Sequence, residues 1–225
     1  FYVSNSGGEL KPVPSRAGDF GLDVAAIAAA VTDKTRAVLI NSPNNPTGQI
    51  YPAEDIAALA KVLADLSANR ERPIYLVADE PYRFLTYDGC TVPPVLPLRR
   101  ARSRPGERVG FVAVSPEMPG RERLVAGMVF ANRIMGFVNA PAIGQAVVLG
   151  AIDAQVDTSI YARRRDAMAG VLSRTGYEFF LPRGAFYFFP KSPIPDEVAF
   201  VNALAEHRVL VVPGRGFGMP GYFRL

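Results

Sequence analysis

Cysteine, histidine and lysine are all scarce in this 225-residue chain. It has one cysteine, one histidine and four lysines. A lone Cys90 excludes an internal disulfide framework and fits a reducing compartment, so a cytoplasmic setting is expected. The single histidine, His207, sits in a charged helix end and reads as structural, and no metal site is expected. No run approaches the roughly 18 apolar residues needed to span a bilayer, so no membrane association is expected. The N-terminal "FYVSNSGGEL" has no initiating methionine, basic segment or apolar core of a signal peptide, and reads as the interior of a longer protein.

What is present is ordinary globular composition, 49% hydrophobic and 20% charged. The net charge of +4 is concentrated in two arginine clusters, Arg99 to Arg108 and Arg163 to Arg165. No nucleic-acid motif accompanies them, so they read as solvated faces and no nucleic-acid partner is expected.

Helical and extended signals alternate along the first half. "LDVAAIAAAVTDKT" spaces Val24, Ile27 and Val31 as a helix, with Asp23 as its cap. Ala37 to Ile40 is a short apolar strand stopped by Asn, Ser and Pro. "AEDIAALAKVLADLSAN" places Ile56, Leu59, Leu63 and Leu66 on one helical face. "RPIYLVADEPY" and "ERVGFVAVSPE" read as two further strands. This rhythm predicts an α/β domain with a mainly parallel sheet covered by helices. After residue 140 the texture changes. A long connecting helix is expected through "PAIGQAVVLGAIDAQVDTSIYARRRDAMAGVLSRTG". An aromatic strand "GAFYFFP", a helix "DEVAFVNALAEHR" and a strand "VLVVPG" then predict a small α+β domain. The expected boundaries are 1–159 for an incomplete large domain and 160–225 for the small one.

Ligands of open parallel sheets sit beyond the carboxyl ends of the strands. The first strand runs into "NSPNNPTG", offering Asn44 and Asn45; the second runs into "ADEPY", offering Asp79 and Tyr82. An Asn, an Asp and a Tyr at neighbouring strand ends suit a polar aromatic cofactor.

The ordered set "NSPNNPTG", "DEPY", "PGERVGF", "NAP", "PRGAFYFFPK" and "VVPGRGFGMPGYFRL" resembles the fold-type-I pyridoxal-phosphate aminotransferases of class I/II, over essentially the whole chain. The resemblance implies transamination between an L-amino acid and a 2-oxo acid, pyridoxal 5'-phosphate as cofactor, and a homodimer. It also implies a fragment, lacking an N-terminal part with a phosphate-binding turn and a ring-stacking aromatic, and lacking the extreme C-terminus. By resemblance, Asp79 matches the residue pairing with the pyridine nitrogen. Asn45, ahead of a cis Pro46, and Tyr82 match those bonding the phenolic oxygen. Arg108 matches the phosphate-binding arginine, and Arg224 the clamp on the substrate carboxylate.

The scarcity of lysine matters here. In the family, a Schiff-base lysine precedes the phosphate-binding arginine by eight residues, and here that position is Arg100. Arginine stays protonated, so it is neither nucleophile nor base. The strand that leads to the lysine in relatives is also missing, because Leu98 runs directly into "RRARSR". Three explanations stay open: the strand and lysine are deleted, they are displaced by an altered reading of the gene, or a stretch of the natural chain is omitted here. The expectation is a real change in the chain, without covalent cofactor attachment and with impaired transamination. The alternative from another class is a catalytically dead fragment or pseudoenzyme that binds cofactor weakly or acts only by dimerisation. Lyase or synthase chemistry on the same fold stays open.

Overall fold

The computed structural model describes residues 2–96 and 109–225. They form two compact units, one built from residues 1–93 and 157–225, the other from 94–156.

The first unit opens with a single helical turn, α1 (Tyr2–Asn5), followed by α2 (Val24–Ala30). Asp23 caps α2 by accepting from the Ala26 N–H at 2.8 Å, as its position predicts. Strand β1 (Ala37–Asn41) pairs in parallel with β2 (Tyr75–Asp79), joined through α3 (Ala53–Ser67). Side chains alternate across this ribbon. Ile40 is buried on the helix-covered face, where Ile56, Leu59 and Leu63 of α3 also pack. Leu39 and Val77 stand opposite one another on the other face, 65% and 44% exposed. The register puts Asn41 directly across from Asp79 on that second face, at the carboxyl ends of both strands.

The C-terminal half of the chain differs from the periodicity reading. The expected long helix is broken. Helix α5 (Ala142–Gly150) ends at a glycine, and the next helix, α6 (Thr158–Arg174), begins afresh under Asp157, whose carboxylate accepts from the Ser159 N–H at 3.0 Å. The aromatic run 184–190 is not a regular strand. Ala185 takes a left-handed φ of 59°, and Pro190 has no N–H to give to a ladder. The run still pairs locally: Phe188 and Leu225 exchange N–H···O bonds at 3.3 and 3.0 Å. Helix α7 (Glu197–Glu206) appears where expected, capped by Asp196. "VLVVPG" reduces to β3 (Val212–Pro213), antiparallel to β4 (Phe223–Arg224). An aromatic core holds these pieces: Phe189 stacks on Tyr222 at 5.3 Å, and Phe20 meets both rings edge-on.

Arg165 corrects the solvated-face reading of its cluster. It is 7% exposed, forks onto Asp88 at 2.6 and 3.0 Å, and lies over the Tyr87 ring at 4.7 Å. It thereby ties α6 to the 85–90 loop. Arg163 and Arg164 are exposed as expected.

The second unit contains α4 (Arg121–Ile134), which the sequence reading did not anticipate, and α5. Of the expected third strand, Glu107 and Arg108 lie outside the described residues, and its described remainder forms no ladder. Gly110–Ser115 is irregular, and Phe111 and Val112 are exposed. Among the described residues it has no strand to pair with beyond single-bridge geometry at Val109, and a strand without a ladder leaves its backbone to water. Among the described residues, no helix is long and apolar enough to cross a membrane.

Candidate functional site

Four of the five residues singled out from the sequence converge at the carboxyl ends of β1 and β2. The fifth, Arg108, lies outside the described residues, as do Arg99, Arg100, Arg102 and Arg104.

Two turns and two strands place the four: Asp79 ends β2 and Arg224 lies on β4. After β1, the peptide bonds preceding Pro43 and Pro46 are both cis, as expected for Pro46. Asn44 shapes this turn rather than facing the site. Its Oδ1 accepts from the Thr47 N–H and hydroxyl at 3.2 and 2.9 Å. After β2, the chain turns through Tyr82, whose carbonyl accepts from the Leu85 N–H at 2.8 Å. Arg224 comes from β4, 179 residues from Asn45 in sequence, and donates from Nη1 to Asn45 Oδ1 at 2.8 Å.

Two residues that the sequence did not reveal complete the arrangement. Asn41 donates from Nδ2 to Asp79 Oδ2 at 3.1 Å and to the Asp79 carbonyl at 2.9 Å, while its Oδ1 accepts from the Asn45 N–H at 2.7 Å. Tyr187 shares a 2.8 Å hydroxyl–hydroxyl bond with Tyr82, and its ring lies 4.6 Å from the Arg224 guanidinium carbon. Phe217 approaches the same guanidinium at 4.8 Å. Both contacts fall within cation–π range and hold a flexible side chain in place. The available signal for Asn41 was its strand position, two residues beyond Leu39 on the same face. Tyr187 had none, since its partners lie in remote segments.

The electrostatics follow from the placement. Asp79 keeps exposed surface, yet partial loss of water pushes its carboxyl above the usual carboxylate value. The Tyr82 phenol is pushed well above its ordinary value, chiefly by burial and then by the Tyr187 hydroxyl, so it stays protonated. Among the described residues, Asp79 Oδ1, Asn45 Nδ2 and the remaining Arg224 N–H groups have no protein partner. The site therefore presents one anionic acceptor, two neutral donor groups and a cationic fork. That donor set fits a protonated pyridine ring with a phenolic oxygen, alongside a carboxylate.

The lysines lie elsewhere. Lys11 donates to the Ala30 carbonyl, Lys61 pairs with Asp65, Lys191 pairs with Glu178, and Lys34 is exposed in the turn after α2.

The sequence profile of the family "Aminotransferase class I and II" matches residues 2–225. The chain belongs to that family. Its fold is the α/β fold of the pyridoxal-phosphate transferases, in part, and pyridoxal phosphate is the cofactor that membership implies. The aspartate/prephenate aminotransferase of Thermus thermophilus is 32% identical over 237 residues, covering 96% of this chain and 58% of that protein. A crystal structure of an amino transferase from Eubacterium rectale superposes with a TM-score of 0.88 at 38% identity, covering all of this chain and 59% of that one. Aspartate aminotransferase from T. thermophilus with maleate superposes at 0.83 with 31% identity, over 99% and 60% of the two chains. The chain thus spans under two thirds of the length of the relatives it matches. The 237-residue match also exceeds the chain's own 225 residues, so it passes over residues of the relative that have no counterpart here.

Proposed function

We propose that this chain carries the ring-holding and carboxylate-holding part of a pyridoxal-phosphate aminotransferase acting between an L-amino acid and a 2-oxo acid. As it stands, it binds the cofactor reversibly and does not complete the transfer. The observation that carries this reading is the Arg224–Asn45 bond, which joins the carboxylate clamp to the ring-facing amide while every lysine has its place elsewhere.

Bound pyridoxal phosphate supplies an electron sink for the pair left when the amino-acid Cα loses its proton. The open Oδ1 of Asp79 is suited to the ring nitrogen, where a carboxylate favours the protonated form. Asn45 Nδ2 and the Tyr82 hydroxyl are donors for the phenolic oxygen. Arg224, held by Asn45 and the two aromatic rings, offers its free N–H edge to the substrate α-carboxylate, a planar bidentate match. Arg108 belongs to the same reading as the phosphate grip. Among the described residues no lysine amine stands at the site to accept the Cα proton, and an arginine at position 100 cannot do so. Residues 1–159 are assigned to the large domain and 160–225 to the small one. A homodimer belongs to the same reading by resemblance, and a cytoplasmic setting by the scarcity of cysteine.

Titration with pyridoxal phosphate, followed by borohydride reduction and peptide mapping, tests this. Reversible, saturable binding with no cofactor fixed to any lysine is expected, and Asp79→Asn weakens binding about tenfold. A single lysine modified stoichiometrically, together with conversion of an amino acid to its 2-oxo acid, overturns the reading.

A further inference from the structure

We propose that Asn41 is a positioning residue: its single carboxamide sets the Asp79 carboxylate and the Asn45 turn as one unit, fixing the ring-facing acid and the ring-facing amide relative to each other. This inference rests on the cofactor reading above for its purpose, but its geometry is independent of that reading.

Three direct hydrogen bonds run from the cationic clamp to the carboxylate. Arg224 Nη1 donates to Asn45 Oδ1 at 2.8 Å, the Asn45 N–H donates to Asn41 Oδ1 at 2.7 Å, and Asn41 Nδ2 donates to Asp79 Oδ2 at 3.1 Å. The Asn41 amide is satisfied at both ends in one orientation only. Flipping it would place an oxygen against a carboxylate and an NH2 against an N–H. Asn41 Nδ2 also reaches the Asp79 carbonyl at 2.9 Å, so it fixes backbone and side chain together. That leaves Asp79 Oδ1 as the open oxygen. Among the described residues, no other side chain hydrogen-bonds both to Asp79 and to the turn after β1. The other titratable or charged groups at this end are Glu80, paired with Arg83 at 2.8 Å, Tyr82 and its hydroxyl partner Tyr187, and Arg224 on β4. Among the described residues none of their side chains bonds the Asp79 carboxylate.

Two substitutions separate the two ends of the amide. Asn41→Asp keeps an acceptor for the Asn45 N–H but replaces the donor facing Asp79 by an oxygen. Asn41→Ala removes both. The first readout needs no cofactor: carboxyl-carbon NMR titration of Asp79, assigned with Asp79→Asn. The Asp79 midpoint rises by about half a unit or more in Asn41→Ala, since an N–H donor to the carboxylate is lost. It rises further in Asn41→Asp, where two adjacent carboxylates titrate as a coupled pair. The second readout is the dissociation constant for pyridoxal phosphate, about fivefold weaker in Asn41→Ala. Far-UV circular dichroism confirms that each variant is folded, and Asn41→Asp keeps the test open if Asn41→Ala does not fold. An Asp79 midpoint unchanged in the folded variants overturns the positioning role, whatever the cofactor does. Wild-type chain that fails to bind pyridoxal phosphate while the midpoints shift as described sinks the cofactor reading and leaves the positioning role standing.

Discussion

Single side chains hold this molecule together where its backbone is least regular. Glu197, at the start of α7, is 1% exposed and binds Arg215 Nε at 2.8 Å and the Gly221 N–H at 3.2 Å. Those contacts hold its carboxyl down at about 2, the Arg215 bond first among them, against the opposing effect of burial. In the unfolded chain the group returns to about 4.5. A depressed carboxyl contributes stability that is present in full above the unfolded value and is lost as pH falls through the folded one. The expected outcome for Glu197→Gln is therefore a lower urea midpoint at pH 6 to 7. That deficit shrinks as pH drops below 4.5 and is nearly gone near pH 2. Urea melts of both proteins across this range check it, and a deficit that does not change with pH would show that Glu197 acts through packing rather than charge. Tyr187 also serves two partners at the site, with its hydroxyl on Tyr82 and its ring against Arg224.

The turns that carry the site are locked to one another by backbone. Gly48 sits at φ +70°, and its carbonyl accepts from the N–H groups of both Arg183 and Gly184 at 3.0 Å. A Cβ on Gly48 would lie 2.5 Å from Pro182 Cβ and 2.8 Å from the Gly184 carbonyl oxygen. Gly89 has nearly the same φ, +71°, and a Cβ there would meet nothing within 4 Å. The pair separates backbone conformation from contact. Gly89→Ala costs about 1 kcal/mol for conformation alone, while Gly48→Ala costs about 3 kcal/mol or more because the 182–185 segment must also retreat. Chemical denaturation gives both numbers, and equal costs would remove the argument from contact.

These elements also explain which features could be read beforehand. Helices α2, α3 and α7 were readable because caps and 3.6-residue spacing are local. Strands β1 and β2 were readable because a short apolar run ended in turn chemistry. That 110–115 and 184–190 would not form regular strands was not readable, because an extended-looking run becomes a strand only beside a neighbour that its own sequence does not show. The restart at α6 had a local signal, Gly150 followed by the cap Asp157, which the apolar periodicity masked. At the site, Asn45, Asp79, Tyr82 and Arg224 were readable as an ordered motif set. Asn41 and Tyr187 acquire meaning only through bonds to segments 38 and 105 residues away.

At the scale of the whole molecule, burial is uneven between the two compact units. The first contains the fully packed residues Leu59, Phe189 and Phe223. In the second, α4 has no buried residue and α5 buries only Gly144. Phe130, Ile134, Ile143 and Leu149 are 66 to 78% exposed there. Apolar surface left bare in this way contributes little to holding a helix against water, since most helical stability comes from packing one face. Local opening free energies track such burial. Amide hydrogen exchange by mass spectrometry is therefore expected to show α4 and α5 exchanging at least about 100-fold faster than α3. The Lys61–Asp65 pair on α3 is exposed and adds only a few tenths of a kcal/mol, so the difference comes from Ile56, Leu59 and Leu63 beneath it. Equal protection of α4 and α3 in the isolated chain would mean that α4 gains a packed face, through self-association or another covering surface. Repeating the exchange at tenfold dilution distinguishes self-association, because its protection falls with concentration while that of α3 does not.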